Sequence, residues 1–209
     1  MNRKFFYFLF AIALMVIPAR ASLIFSIDQV SAALTQGDIG DMIEVIMTNS
    51  ASFNANSFTL EITSDNPGVT FTQVTTGTSN PYVFAGNSFF GPDITSSPGT
   101  TLEGGDATAT PPFADITLAP STYGMGLVFF NIDSGAATGP VTFSFGNAAV
   151  NVFSDAGGDS ITPSLNSLQL NIQTAVVPEP SALLPLAALA LAAGFRLRRT
   201  GESGICLRP

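Results

Sequence analysis

The chain has 209 residues, with 15 Asp and Glu against 7 Lys and Arg, one Cys, and neither His nor Trp. All seven basic residues stand at the ends, Arg3, Lys4 and Arg20 in front and Arg196, Arg198, Arg199 and Arg208 behind, so Ser22 to Val177 holds thirteen carboxylates and no cation. That absence excludes nucleic-acid binding, which needs cations to displace phosphate counterions. It also excludes His- or Cys-based relays, Schiff-base lysines and zinc, copper or iron sites drawn from His and Cys.

At the front, Arg3 and Lys4 precede an unbroken apolar run from Phe5 to Ile17, and Ala19-Arg20-Ala21 follows. A positive start, a short apolar stretch and small residues at Ala19 and Ala21 form the layout that signal peptidase cuts. Residues 1–21 are therefore expected to be a signal helix removed after Ala21. The run is short for a hydrocarbon core of about 30 Å. The protein is expected to be exported, starting at Ser22.

From Ser22 onward the apolar residues alternate. Leu23, Phe25 and Ile27 do so first, then Ile43, Val45 and Met47, then Phe58, Leu60 and Ile62, then Val69 and Phe71 with Gln73 in phase. The same habit returns in "GLVFFNI" (Gly126–Ile132), "VTFSF" (Val141–Phe145), "AVNVFS" (Ala149–Ser154) and "SLQLNIQ" (Ser167–Gln173). Period two, Thr and Phe enrichment, and Gly, Pro, Asn and Asp breaks predict an all-β, antiparallel β-sandwich over residues 22–175. Asn80 to Thr122, rich in Pro and Gly, reads as short strands on long surface loops. Its Tyr82, Phe84, Phe89, Phe90 and Phe113 are too apolar for a disordered linker.

Candidate sites in the body are few. Asp155-Ala-Gly-Gly-Asp159 sets two carboxylates around a flexible Gly pair and is the best candidate for calcium; otherwise it is an acidic turn. Glu103-Gly-Gly-Asp106 invites the same reading. No other cofactor is expected. A glycosidase needs two carboxylates about 5 to 9.5 Å apart, and the carboxylates on offer are Glu44 and Glu61, read as solvent-facing, and Glu103, read as part of a loop. Tyr82, Tyr123, Phe89 and Phe90 are either a sugar-stacking platform or core.

Two resemblances follow. "GLVFFNIDSGAATGPVTFSFGNAAVNVFSDAGGDSI" (Gly126–Ile161) and "GDIGDMIEVIMTN" (Gly37–Asn49) are similar to cohesin-type modules. That likeness implies a nine-stranded jelly roll akin to carbohydrate-binding modules. At the end, the motif Val177-Pro178-Glu179-Pro180-Ser181 opens an uncharged stretch of fifteen residues from Ser181 to Phe195, followed by Arg196, Arg198 and Arg199. A helix of fifteen residues reaches only about 22 Å, and the arginines would stay cytoplasmic by the positive-inside rule. This layout over residues 176–199 resembles the PEP-CTERM sorting signal of Gram-negative bacteria, a motif, short hydrophobic helix and basic cluster read by an exosortase. Family members usually end at the basic cluster, whereas residues 200–209 follow here and include Cys206.

The resemblances imply signal peptidase and exosortase as handling partners, transient membrane insertion of the C-terminal helix, and delivery to the outer envelope, cell surface or matrix. The expected role is non-catalytic, structural or adhesive, linked to exopolysaccharide, biofilm or surface proteins. The alternative is a carbohydrate- or protein-binding cohesin-like module, which predicts an exposed aromatic strip or polar-rimmed apolar patch around Tyr82–Phe90. A third reading, an extracellular glycosidase, predicts two convergent carboxylates in a groove.

Overall fold

The computed structural model describes residues 22–96, 99–111 and 113–176. The signal segment with Ala19 and Ala21, the sorting residues Val177, Pro178, Glu179, Pro180 and Ser181, the arginine cluster Arg196, Arg198 and Arg199, and residues 200–209 lie outside the described residues. All strands belong to a unit that ends at Thr174; of the second unit only Ala175 and Val176 are described.

In chain order the strands are β1 (Leu23–Gln29), β2 (Leu34–Thr35), β3 (Ile39–Asn49), β4 (Phe53–Ala55), β5 (Ser57–Ser64), β6 (Val69–Thr75), β7 (Asp93–Ser96) and β8 (Thr101–Ala107). Then come β9 (Ile116–Leu118), β10 (Ser121–Ile132), β11 (Gly139–Phe145), β12 (Val152–Ser154), β13 (Ser160–Ile161), β14 (Ser164–Asn166) and β15 (Leu168–Gln173). One sheet runs β14-β1-β3-β10-β6; a second runs β13-β12-β5-β11-β15-β2, with β8 on β5 and β7 on β8; β4 and β9 form a separate antiparallel pair. No helix occurs among the described residues, and none there is long and apolar enough to cross a membrane. The expected sandwich is present. Among the described residues there are fifteen strands of two to twelve residues where the resemblance implies nine, and two edge pairs, β1 with β14 and β15 with β2, are parallel.

Alternation builds the core. Phe25, Ile27, Ile43, Val45 and Met47 face inward from one sheet, and Phe58, Leu60, Ile62, Val141 and Phe143 from the other, each at most 3% exposed. Phe153 gathers the rings of Phe25, Phe53, Phe58 and Phe84 at centroid distances of 5.5 to 6.4 Å. A second group joins Phe71, Phe130 and Phe143 at 5.0 to 6.4 Å. These tilted and edge-on contacts are the geometry aromatic quadrupoles favour.

Three details depart from the strict pattern. Between β10 and β6 the register shifts, Phe129 facing Gln73 and Phe130 facing Phe71, so Thr72 is an extra residue and Gln73 turns out to solvent. The expected strand from Ala149 starts only at Val152, because Asn147 to Val150 form a turn in which the Asn147 carboxamide oxygen accepts the Ala149 amide at 2.9 Å. Glu44, expected on a solvent face, is 3% exposed. The segment after β6 folds over it, and its carboxylate accepts the amides of Ser79 and Asn80 at 3.0 and 3.2 Å. Gly124 lets this segment approach, since a Cβ there would meet the Thr78 side chain at 2.3 Å.

Candidate functional site

The stretch Glu103-Gly-Gly-Asp106 is not a loop but the middle of β8. A two-residue period places Leu102, Gly104 and Asp106 inward and Glu103, Gly105 and Ala107 on the outer face. On one side Gly105 faces Thr59 of β5, and on the other Asp93 of β7. With no side chain at Gly105 the outer face sinks there into a groove of about 560 Å³, whose lining includes Phe90, Asp93, Glu103, Thr59 and Val150. A Cβ on Gly105 would lie 2.4 Å from the Phe58 carbonyl oxygen, so glycine is required where the two strands meet. The Thr59 hydroxyl donates to the Val150 carbonyl and ties the far wall to β5.

Asp106 is 5% exposed, and the body between Ser22 and Val177 offers it no cationic side chain. Hydrogen-bond donors replace one. Its Oδ2 accepts the Tyr82 hydroxyl at 2.7 Å and the Ser88 hydroxyl at 2.6 Å, and its Oδ1 accepts the amides of Ala107 at 2.7 Å and Phe90 at 3.3 Å. Burial, and then the neighbouring Asp106 carboxylate, push the Tyr82 phenol well above its ordinary value. The network pins residues 82–90 to β8: Val83 and Phe84 go inward, and Phe89 and Phe90 turn outward.

Phe90 is 72% exposed, Phe113 50% and Phe89 43%. The Phe89 ring meets Phe90 edge-on at 4.1 Å and Phe113 at 5.6 Å. Phe113 has φ +59°, a left-handed conformation that a bulky L-residue adopts at a cost of about 1–2 kcal/mol. It is held there by donating its amide to the Thr108 carbonyl at 3.0 Å and accepting the Asn56 carboxamide at 2.8 Å. The fold therefore keeps a strained phenylalanine at the surface beside two others. An exposed aromatic patch thus lies in the Tyr82–Phe90 region, where a recognition module is expected to show one, and Phe113 extends it.

The other residues singled out in the sequence go elsewhere. Tyr82 is buried, and Tyr123 lies on β10 of the other sheet with its hydroxyl donated to the Ala119 carbonyl at 3.1 Å, so neither joins an aromatic platform with Phe89 and Phe90. Glu61 and Glu103 face each other across β5 and β8, but the Glu61 carboxylate accepts the Asn147 amide at 2.9 Å, and Glu44 belongs to the opposite sheet. Asp155 and Asp159 close the turn between β12 and β13, where Asp155 Oδ1 accepts the amides of Gly157 and Asp159, both at 2.9 Å. Among the described residues no three Asp, Glu, His or Cys gather in a metal-holding group. Phe113 is hidden in the sequence because backbone conformation, not periodicity, exposes it. Asp106 is hidden by the adjacent glycines, although the phase of Leu102, Gly104 and Asp106 points to a strand.

No protein-family model matches this sequence, and no curated protein matches it. Solved structures do match in fold. A chain of the complex between a CaDoc0917 variant and CaCohA2, the latter from Clostridium acetobutylicum, is 14% identical with a TM-score of 0.57, covering 73% of this chain and 100% of that one. The seventh ScaB type I cohesin from Pseudobacteroides cellulosolvens is 14% identical with a TM-score of 0.55, covering 76% and 96%. The sixth cohesin of scaffoldin B from Acetivibrio cellulolyticus, in complex with a Cel5 dockerin mutant, is 16% identical with a TM-score of 0.53, covering 73% and 99%. The described part of the chain is thus an all-β sandwich with the fold of a cohesin module.

Proposed function

We propose that this chain is an exported, non-catalytic recognition module that holds another protein against the outer face of β5, β8 and β7. The observation carrying the reading is the exposed cluster Phe89, Phe90 and Phe113, which reaches an acidic groove through Phe90 and holds Phe113 in a strained backbone conformation. Contiguous exposed apolar surface with a polar rim is what interaction sites present, and aromatic residues are enriched at such sites. Some solved structures sharing the fold are complexes with dockerins, which supports protein binding as the role and leaves the partner's identity to experiment. The termini supply the route: a signal segment at residues 1–21 directs export, and Val177-Pro178-Glu179-Pro180-Ser181 with Arg196, Arg198 and Arg199 serves as an exosortase-type sorting signal that delivers the body to the cell surface or matrix.

The test is site-specific photo-crosslinking in the producing cell. A crosslinker replacing Phe90 or Phe113 should trap a discrete protein adduct, while one replacing Asn171, on the outer face of β15, should not. Adducts from Asn171 alone, or a glycan adduct in place of a protein, would overturn the reading.

A further inference from the structure

Resting on that docking reading, we propose that the groove receives a Lys or Arg side chain of the partner, the cationic head between Asp93 and Glu103 and the aliphatic stem along Phe90. The groove's chemistry selects this occupant. Asp93 faces Gly105, and Glu103 stands two residues back on the same strand and the same face. Side chains so related on adjacent strands lie about 7–8 Å apart, near enough to converge on one cation. No cationic side chain of the body competes for that place, because Ser22 to Val177 holds no Lys, Arg or His. The apolar side of the slot is supplied by Phe90 and by Val150 on the opposite wall.

Such a slot matches a long cationic side chain, whose methylenes bury against apolar surface while the head stays with acceptors. The Phe90 face adds the attraction of an aromatic quadrupole for a cation. Other occupants fit less well. A second copy of this chain would bring thirteen more carboxylates and no cation from its body, and an anionic lipid or acidic polymer would be repelled for the same reason. A purely apolar peptide would satisfy the phenylalanines but leave the two carboxylates to be desolvated without a partner, which costs free energy.

The experiment uses the full chain and two labelled hexapeptides, acetyl-(Leu-Lys)3-amide and acetyl-(Leu-Glu)3-amide, with binding read by fluorescence anisotropy in about 50 mM salt, where screening is mild. The Lys peptide should bind and the Glu peptide should not. Asp93→Asn with Glu103→Gln should weaken the Lys peptide by about tenfold or more, as loss of a charge-assisted contact implies. The control Asp28→Asn with Asp133→Asn removes the same charge from exposed positions elsewhere and should change binding by less than about twofold, the residue of long-range attraction. Melting temperatures of both doubles ensure that folded proteins are compared. Equal losses in the two doubles would mean attraction to net charge alone and would overturn the proposal. Equal binding of the Glu peptide, lost in Phe90→Ala, would overturn the cation slot while leaving the docking surface standing. If neither peptide binds and crosslinks at Phe90 also fail, both readings fall.

Discussion

Asp106 offers a sharp test of how a cation-free body tolerates a buried carboxylate. Its two oxygens have different partners: Oδ2 takes the hydroxyls of Tyr82 and Ser88, and Oδ1 takes the amides of Ala107 and Phe90. Asp106→Asn leaves the Oδ1 side intact. On the other side the new NH2 group can donate to both hydroxyl oxygens once those hydroxyls rotate, since each accepts as well as donates. The exchange gives up the charge-assisted part of four hydrogen bonds and turns two hydroxyl protons away from their acceptor, but it keeps every oxygen and amide paired and removes a costly buried charge, so Asn should cost about 1–2 kcal/mol. Asp106→Ala has no such remedy. It orphans the buried Tyr82 hydroxyl and the half-buried Ser88 hydroxyl and opens a void, for a loss of about 3–5 kcal/mol out of a total of about 5–15 kcal/mol. Urea unfolding gives both values, followed by circular dichroism and by tyrosine emission, which no tryptophan obscures. If Asn proves as damaging as Ala, the site requires the negative charge itself, and the reasoning from hydroxyl reversal is wrong.

Three further outcomes are expected. Phe113→Gly relieves the left-handed strain, so thermal unfolding should show stability unchanged or raised by up to about 1–2 kcal/mol, while peptide binding at the groove weakens; lost stability would mean the ring is structural. The raised folded-state pKa of Tyr82 means its contribution is complete below the unfolded value of 10.0 and is lost as pH rises beyond it. Urea midpoints should therefore fall above pH 10, by up to about 1.4 kcal/mol per pH unit in free energy, and Tyr82→Phe should flatten that slope. Asp41 is raised above 3.8 by burial, against the Ser31 hydrogen bond and aided by repulsion from Asp38, and its Oδ2 is buried without a partner. Its contribution is complete below pH 3.8 and lost as pH rises, so Asp41→Asn should raise the melting temperature at pH 7 and give no gain at pH 3.

How far the sequence reveals this molecule depends on the kind of information each feature needs. β1, β3 and β5 are legible because their apolar residues keep one phase from end to end, and a buried face demands that. Gln73 breaks phase because a bulge at Thr72 adds a residue that the pattern of β6 alone does not mark. Glu44 looks exposed by alternation, and it is buried only because a segment more than thirty residues away folds over the sheet and caps it with amides. β8 reads as a loop because Gly104 and Gly105 signal a turn locally, whereas here they admit close approach between neighbouring strands. The surface patch is legible in part. Phe89 and Phe90 stand out as aromatic residues in a loop, but their union with Phe113 depends on the Asp106 network and on one left-handed backbone residue.

The central claim is that the outer face of β5, β8 and β7, with its three phenylalanines, is where this protein meets its partner. Hydrogen–deuterium exchange on the full chain, with and without the protein trapped by the Phe90 crosslinker, tests this most directly. Protection should rise over residues 88–96, 103–107 and 108–116 and stay unchanged over the outward positions of β3, β10 and β6. Protection confined to those three strands, with the Phe90 and Phe113 loops exchanging as before, would contradict the account.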